Sequence, residues 1–267
     1  MAFKNDTNYF DQHFLIDEKV INTFLEAANF KKDDIVVEIG SGKGNITKLI
    51  APKVKKIYCI EIDERLKPYL EKVQNQNSNI ELIFGNVLDV LIPKCTKIIT
   101  SLPFSIIDPF MEKLLKCDFE EIIMIIGNKY AKSVNSLNLN RLSLLTNCFF
   151  KLEKIMEITP EAFSPKPKSM AAMVKITSRN IAEINDLSTL IFRFMFIYRN
   201  QKVKNALVES LIKAIGIKGE KITQRMSREE LKQLNIPNNI LEKKFAICSN
   251  EDLKILNKEI KKIIVRK

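Results

Sequence analysis

Apolar positions in the first two thirds of the chain follow two different periods. Short runs rich in β-branched residues, typical of buried strands, alternate with stretches whose apolar residues recur at helical spacing. The strand-like runs are 34–40, 55–63, 80–85, 97–100, 121–127 and 171–177, and the helical stretches are 16–30, 45–54 and 64–76. This alternation is typical of βαβ units. It predicts an α/β, Rossmann-like domain with a mostly parallel sheet.

The pattern changes after residue 178, where strand-like runs cease. Apolar residues at helical spacing then occupy 187–215, 227–235 and a last stretch from about 249. We therefore predict two domains, an α/β domain over 1–178 and a small all-α domain over 179–267.

The positive charge of the chain is concentrated in its last third. The formal net charge is +11, and residues 179–267 carry 19 of the 43 Lys and Arg but only 10 of the 32 Asp and Glu. The stretch 192–207 contains no acidic residue, and its four cations are Arg193, Arg199, Lys202 and Lys204. A basic face on a small helical domain indicates a polyanion such as RNA. The alternative is a solvated basic surface without a ligand.

Other classes of site have little support. The five cysteines include no Cys-x-x-Cys pair, and His13 is the only histidine, so we expect neither a metal site nor a disulfide. No run approaches 18 uncharged apolar residues, and the first residues lack the apolar core of a signal peptide. These features predict a cytoplasmic protein without a membrane segment.

A glycine-rich loop follows the first strand-like run. Gly40, Gly42 and Gly44 are three of the seven glycines in the chain, and Asn45 excludes the Gly-x-Gly-x-x-Gly dinucleotide pattern. A loop without side chains between a strand and a helix lets a ligand approach the backbone closely. Glu61 ends the next strand, where a carboxylate can accept both hydroxyls of a ribose. The alternative is a tight turn with Glu61 as a strand cap.

The segment Glu38-x-Gly-x-Gly-x-Gly, followed by an acid at the end of the next strand, resembles the cofactor site of S-adenosylmethionine-dependent methyltransferases. This resemblance implies S-adenosylmethionine as the cofactor. Asn86, at the end of the third strand, would then contact its adenine.

A second motif, Ser101-Leu102-Pro103-Phe104, ends the fourth strand. It resembles the (Asn/Asp/Ser)-x-Pro-aromatic motif of enzymes that methylate the exocyclic amines of bases. The Ser101 side chain and the Leu102 carbonyl would accept hydrogen bonds from the target amine, which favours pyramidalisation of its nitrogen. Phe104 would provide the face on which the extruded base stacks.

Three further stretches narrow this resemblance. Gln12-His-Phe-Leu15, Arg141-Leu-Ser143 and the loop 160–168 are similar to segments of the ribosomal RNA adenine N6-dimethyltransferases, and the helical tail is similar to their archaeal branch. The resemblance implies dimethylation of adjacent adenosines near the 3′ end of small-subunit rRNA, by a monomer. The implied cofactor contacts are His13, Leu15, Gly40, Gly42, Glu61, Asn86 and Ser101.

This chain departs from the family pattern at several positions. Ser101 stands where Asn is usual, Asn86 stands where Asp is usual, and Leu139-Asn140 replaces Tyr-Gly. One alternative is therefore a ribosome-assembly or RNA-binding factor on the same fold with weak or lost methyl transfer. A second alternative is a large-subunit rRNA methyltransferase of the macrolide-resistance type.

Overall fold

A computed structural model describes residues 12–134 and 140–263. The strands are β1 Phe14–Leu15, β2 Ile35–Ile39, β3 Lys56–Glu61, β4 Ile80–Phe84, β5 Lys97–Ser101, β6 Glu121–Gly127, β7 Phe150–Ile158, β8 Phe163–Ser164 and β9 Ala171–Ser178. The helices are α1 Glu18–Ala28, α2 Thr47–Ile50, α3 Lys67–Gln74, α4 Ile107–Leu114, α5 Asn128–Val134, α6 Arg141–Phe149, α7 Leu187–Ile197, α8 Val203–Ile217, α9 Gln224–Lys232, α10 Asn238–Leu241 and α11 Asn250–Ile260.

Seven strands form the main sheet, in the order β4-β3-β2-β5-β6-β9-β7. The pairs β4–β3, β3–β2, β2–β5 and β5–β6 are parallel, and β9 runs antiparallel to β6. The strands β1 and β8 form a separate antiparallel pair. The predicted α/β fold with a mostly parallel sheet is confirmed.

The central strands are apolar along almost their whole length because both faces of the sheet are covered. Every residue of β6 from Ile122 to Ile126 is buried, and β2 is buried from Val36 to Ile39. Helix α1 begins at the N-cap Asp17, whose carboxylate accepts hydrogen bonds from two backbone N–H groups. Its apolar face, which includes Phe24 and Ala28, packs into the core next to the sheet.

A charged cluster lies at the amino ends of the central strands. The Lys97 ammonium is buried and contacts the Glu121 carboxylate at 2.5 Å and the Ala28 carbonyl at 2.8 Å. Asp34 lies 3.8 Å from the same ammonium, and Lys175 forms a second ion pair with Glu121. These oxygen partners offset the cost of burying the Lys97 ammonium.

The order of the strands defines where a ligand can bind. From β2 the chain proceeds outward to β3 and β4, then returns to the other side of β2 to form β5 and β6. The direction therefore reverses between β2 and β5. In open parallel sheets the crevice at such a reversal, outside the carboxyl ends of the strands, is where ligands bind.

Several regions differ from the predicted elements, which did not include β1, β8 or the helices α4, α5, α6 and α10. Strand β7 was not predicted, and it contains five exposed positions out of nine. The helical stretch predicted over 187–215 is divided into α7 and α8, with a turn at residues 198–202.

Two compact units are distinguished among the described residues. A sheet unit comprises residues 12–132 and 152–178, and a helical unit comprises 133–134, 140–151 and 179–263. The helical unit thus includes α6 in addition to the helices that follow β9. The functional division at residue 178 stays a prediction. None of the helices in the described ranges has the length and apolar content needed to cross a bilayer.

Candidate active site

A cavity of about 710 Å³ opens in the sheet unit, within the size range of small-molecule sites. Residues from the carboxyl ends of β2, β3, β4 and β5 contribute to its wall. The residues predicted for the site that line it are His13, Gly40, Gly42, Glu61, Asn86, Ser101 and Leu102. The structure therefore brings these residues together at the reversal point of the sheet.

Backbone hydrogen bonds hold the strand ends in register around the cavity. Gly40 N–H donates to the Ile60 carbonyl at 2.8 Å, and Gly85 N–H donates to the Glu61 carbonyl at 2.8 Å. The Thr100 hydroxyl donates to the Ile39 carbonyl at 3.1 Å. These bonds fix the glycine loop, the acid and the segment after β5 relative to one another.

The glycine loop has a conformation that favours residues without a side chain. Gly42 has φ of +58°, and a Cβ there would lie 3.1 Å from the Phe14 ring. Gly40 has φ of +75° and faces the Ser101 carbonyl. Both positions lie in the left-handed region. Gly40 therefore exposes backbone to the cavity, and a side chain at position 42 would crowd the Phe14 ring and strain the backbone.

The Glu61 carboxylate is buried and already accepts three backbone hydrogen bonds. Its Oε2 accepts from Gly42 N–H at 2.7 Å, and its Oε1 accepts from the N–H groups of Ile62 and Asp63 at 2.9 and 3.0 Å. Burial raises the pKa of this carboxyl above its usual value, and the three donors oppose that shift. Since a carboxylate offers about four acceptor positions, one remains for a ligand. Acceptance of both ribose hydroxyls, as predicted from sequence, would require the Gly42 bond to be released.

Glu38, the first residue of the glycine motif, lies in β2 and is not part of the cavity lining. Its buried carboxylate accepts a hydrogen bond from the Thr47 hydroxyl at 2.5 Å and lies 3.7 Å from the Cys59 sulfur. Burial raises the pKa of Glu38 to about 7. The Ser41 hydroxyl donates to the Glu38 carbonyl at 3.4 Å, which helps to fix the start of the glycine loop.

Asn86 lines the cavity two residues after the end of β4. Its Oδ1 accepts from Leu88 N–H at 3.0 Å, which orients the amide. One acceptor position and the amide N–H groups remain for a ligand. Asn86 can therefore contact a heterocyclic ring both as a donor and as an acceptor, which a carboxylate cannot do.

Ser101 and Leu102 line the cavity where β5 ends. Ser101 pairs with Ile125 of β6, another cavity residue, and within the described ranges its hydroxyl has no hydrogen-bond partner. This hydroxyl is therefore available to a substrate. The backbone of Phe104 begins a short 3₁₀ helix, whereas its side chain lies outside what the structure describes.

Two segments distant in sequence pair beside the cavity. Phe14 pairs with Ser164 and Leu15 with Phe163, and His13 Nδ1–H donates to the Pro165 carbonyl at 2.7 Å. His13 lines the cavity, whereas the Leu15 side chain is buried in the core and does not. The contact of Leu15 with a cofactor is therefore not supported by its side chain.

Several cavity residues were not predicted as site residues. Ile62 is 41% exposed although it is a large apolar residue, and it lines the cavity directly after Glu61. Lys166 and Lys168 line it from the loop after β8, which was identified only as a motif. An apolar residue next to the acid that ends a strand is a signal that could have identified Ile62.

The segment that starts at Arg141 belongs to the interior of the helical unit. The Arg141 guanidinium lies over the rings of Phe196 and Phe245, at 5.3 and 5.6 Å, and donates to the Phe245 carbonyl at 3.3 Å. Asn140 caps α6 reciprocally with Ser143. This segment therefore contributes to packing within the helical unit and is not part of the cavity lining.

Arg193, predicted to bind RNA, is also internal to the helical unit. Its guanidinium donates to the Cys148 carbonyl at 2.6 Å and the Arg179 carbonyl at 3.2 Å, and it lies 4.6 Å from the centre of the Phe149 ring. Burial lowers its pKa. Because the side chain is half-buried and its Nη1 makes two hydrogen bonds within the helical unit, we do not include Arg193 in the proposed RNA-binding surface.

The other predicted RNA contacts are closer to solvent. Arg199 is half-buried, and Lys202 and Lys204 are 52% and 46% exposed at the side chain. Both lysines form ion pairs with Glu242, at 2.8 and 2.5 Å. The described residues contain no group of three or more His, Cys, Asp or Glu placed to hold a metal ion.

Solved structures with a similar fold include a dimethyladenosine transferase from Plasmodium falciparum (TM-score 0.63, 20% identity, covering 91% of this chain and 96% of that one). The 23S rRNA methyltransferase ErmE is similar at a TM-score of 0.60 and 20% identity, covering 92% of this chain and 99% of that one. At this identity the similarity establishes the fold.

Sequence relatives establish the family. The chain is 32% identical to a probable ribosomal RNA small subunit methyltransferase A of Methanococcus aeolicus over 95% of this chain and 96% of the relative. It is 35% identical to the protein of that name in Pyrococcus abyssi over 79% of this chain and 78% of the relative. The resemblance to the archaeal branch is thereby confirmed. The family model "Ribosomal RNA adenine dimethylase" matches residues 3–244, and the chain belongs to this family.

Proposed function

We propose that the chain transfers methyl groups from S-adenosylmethionine to the N6 atoms of adenosines in small-subunit rRNA. The observation that carries this proposal is that a predicted cofactor site and a predicted amine-binding residue line the same cavity. The glycine loop and Glu61 form one side, and the Ser101 hydroxyl, which has no hydrogen-bond partner among the described residues, lies at the end of β5, the strand next to β2. The chain belongs to a family of S-adenosylmethionine-dependent RNA methyltransferases, which supports the enzyme over an assembly factor without activity.

The cavity residues fit this cofactor. The exposed backbone of the glycine loop would hold its amino-acid portion, the remaining acceptor position of Glu61 would take a ribose hydroxyl, and Asn86 would contact the adenine. Ile62 presents an apolar side chain to the same cavity, which suits the face of a base. When bound, S-adenosylmethionine supplies a methyl group on a positively charged sulfur.

Ser101 and Leu102 act on the substrate amine. The lone pair of adenine N6 is delocalised into the ring, so N6 is a poor nucleophile while planar. The Ser101 hydroxyl and the Leu102 carbonyl accept hydrogen bonds from the N6–H groups and favour the pyramidal geometry. The N6 lone pair would form a bond to the methyl group that bound S-adenosylmethionine would supply, the C–S electron pair would stay with the departing sulfur, and N6 would release a proton to solvent. Positioning accounts for much of the rate. The stacking of the base on Phe104 stays part of the proposal.

Finer aspects of the proposal rest on the relatives' names for the substrate and on the resemblance of the sequence motifs for the rest. We infer small-subunit rRNA as the substrate, two methyl groups on each of two adjacent adenosines near its 3′ end, a monomeric enzyme and a cytoplasmic location.

Substitution of Ser101 tests the proposal. Ser101→Ala should lower methyl transfer to unmethylated small subunits, because removal of a preorganised hydrogen-bonding group at a reacting centre commonly costs about 10²-fold in rate or more. Ser101→Asn, which restores an acceptor of the usual family type, should retain or raise the rate. Affinity for S-adenosylmethionine should change little in both variants.

Two results would contradict these assignments. An active wild type that is indifferent to Ser101→Ala would assign the amine contact to the Leu102 carbonyl alone. A wild type that binds both small subunits and S-adenosylmethionine without transferring methyl groups would be an assembly factor.

A further inference from the structure

A second basic segment lies beside the one recognised in the sequence. Val203 N–H donates to the Lys243 carbonyl at 2.8 Å, and Ala246 N–H donates to the Arg199 carbonyl at 2.8 Å. Lys202 and Lys244 form an antiparallel bridge between the two segments. Backbone pairing therefore places Lys243 and Lys244 next to the start of α8, although the two segments are about 40 residues apart in sequence.

Glu242 is an acidic residue at this surface that binds two of the lysines at once. Its Oε2 lies 2.8 Å from the Lys202 ammonium and its Oε1 lies 2.5 Å from the Lys204 ammonium. These two ammonium groups lower the pKa of Glu242 to about 2. Lys243 pairs with Asp252 at 2.8 Å, and Lys244 is exposed without an ion pair among the described residues.

The Glu242 ion pairs are not needed to hold the two segments together. The backbone hydrogen bonds between residues 199–203 and 243–246 already do so. The Glu242 side chain is 40% exposed, and ion pairs between exposed side chains contribute little to stability. Glu242 can therefore leave the two lysines at small cost in folding free energy.

We propose that Glu242 occupies a phosphate-binding position, and that an RNA phosphodiester displaces it to bind Lys202 and Lys204. One carboxylate that spans two ammonium groups with separate oxygens has the arrangement that two non-bridging phosphate oxygens would adopt. Lys244 adds a third positive charge beside this position. RNA gains further free energy from the release of its counterions, which a single carboxylate cannot match. This inference rests on the proposed function, since it takes rRNA as the ligand.

Replacement of Glu242 by glutamine tests the displacement. Binding of a single-stranded polyuridine oligonucleotide should tighten in Glu242→Gln, on the order of two- to tenfold at low salt, because the internal competitor is removed. Glu220→Gln is the matched control. Glu220 is exposed, and its replacement changes the net charge by the same amount. Because Lys202 and Lys204 pair with Glu242, the Glu220 variant does not release them and should leave the affinity nearly unchanged.

A double-mutant cycle assigns the gain to the two lysines. Lys202→Gln with Lys204→Gln should weaken binding and reduce the salt slope by about 0.7 for each phosphate that is no longer neutralised by a lysine. Adding Glu242→Gln to that variant should then have no effect. A gain that persists without the lysines would show a general charge effect and overturn the proposal. So would an unchanged or weaker affinity in Glu242→Gln alone.

The readout separates this proposal from the proposed function. Methyl transfer to small subunits tests the enzyme, whereas polyuridine binding tests the surface. If Glu242→Gln behaves like wild type in binding while wild type transfers methyl groups, the displacement is wrong and the enzyme assignment stands. If wild type transfers no methyl groups, the enzyme assignment fails and the binding cycle still reports on Glu242.

Discussion

Glu61→Gln tests two roles of the Glu61 carboxylate, which are to fix the glycine loop and to bind the cofactor. Glu61 can have both roles because it accepts a hydrogen bond from Gly42 and also lines the cavity. Its two oxygens accept hydrogen bonds from the N–H groups of Gly42, Ile62 and Asp63. Glutamine keeps one oxygen and replaces the other with an NH₂ donor. At least one backbone N–H group then faces a donor and has no acceptor.

The structure sets the expected magnitude of each effect. A buried donor without a partner costs about 1–3 kcal/mol, so the free energy of unfolding without ligand should fall by that amount. A hydrogen bond to a charged group contributes about 1.5–3 kcal/mol, and removal of such a bond to a ribose hydroxyl should weaken S-adenosylmethionine binding by roughly 10- to 150-fold. The two effects should therefore be of similar size.

Two measurements check this prediction. Isothermal titration calorimetry gives the dissociation constant for S-adenosylmethionine, and urea unfolding without ligand gives the stability. Glu64→Gln is the matched control, since Glu64 is exposed three residues away and is not part of the cavity lining. It should change neither quantity.

The results also distinguish the two tasks. Reduced stability with unchanged affinity would mean that Glu61 only fixes the glycine loop. Unchanged stability would refute the account of its three backbone hydrogen bonds. If neither quantity changes, Glu61 has no place in the cofactor site.

Two further predictions concern buried charge. The folded-state pKa of Glu38 is raised to about 7, so its contribution to stability is present at low pH and is lost as the pH rises from about 4.5 to 7. The free energy of unfolding should fall by about 3 kcal/mol over this range. Urea unfolding at several pH values should show the decline, and Glu38→Gln should flatten it. Lys97→Met leaves the buried Glu121 carboxylate with one ammonium partner and should destabilise the fold by about 3 kcal/mol. Lys56→Met, which removes an exposed pair with Glu81, should have no measurable effect in the same assay, and equal destabilisation by both variants would contradict the role of burial.

The strand ends of the site could be predicted from sequence because the signal is local. A buried parallel strand is a continuous apolar run, so its last residue is visible in the pattern. This placed Gly40, Glu61, Asn86 and Ser101 at one edge of the sheet, where the cavity lies. The edge strand β7 was missed because five of its nine residues are exposed, so its apolar signal is weak.

Other features depend on interactions that sequence does not show. The hydrogen bond between His13 and Pro165 joins residues that are 152 positions apart, and it depends on the pairing of β1 with β8. The charge of Arg193 was evident, but its packing against Phe149 depends on how α6 and α7 meet. The ion pairs of Glu242 likewise depend on a long-range backbone pairing.

The pairing of β1 with β8 also sets the order in which the site is completed during synthesis. The segment that contains His13 leaves the ribosome early, whereas its partner Pro165 is made 152 residues later. At about 5–20 residues per second this interval is roughly 8–30 s. The strands that carry the glycine loop and Ser101 are made within that interval, before the segment that pairs with β1. A nascent chain that stops before residue 164 therefore lacks one wall of the cavity, however well its parallel strands have folded.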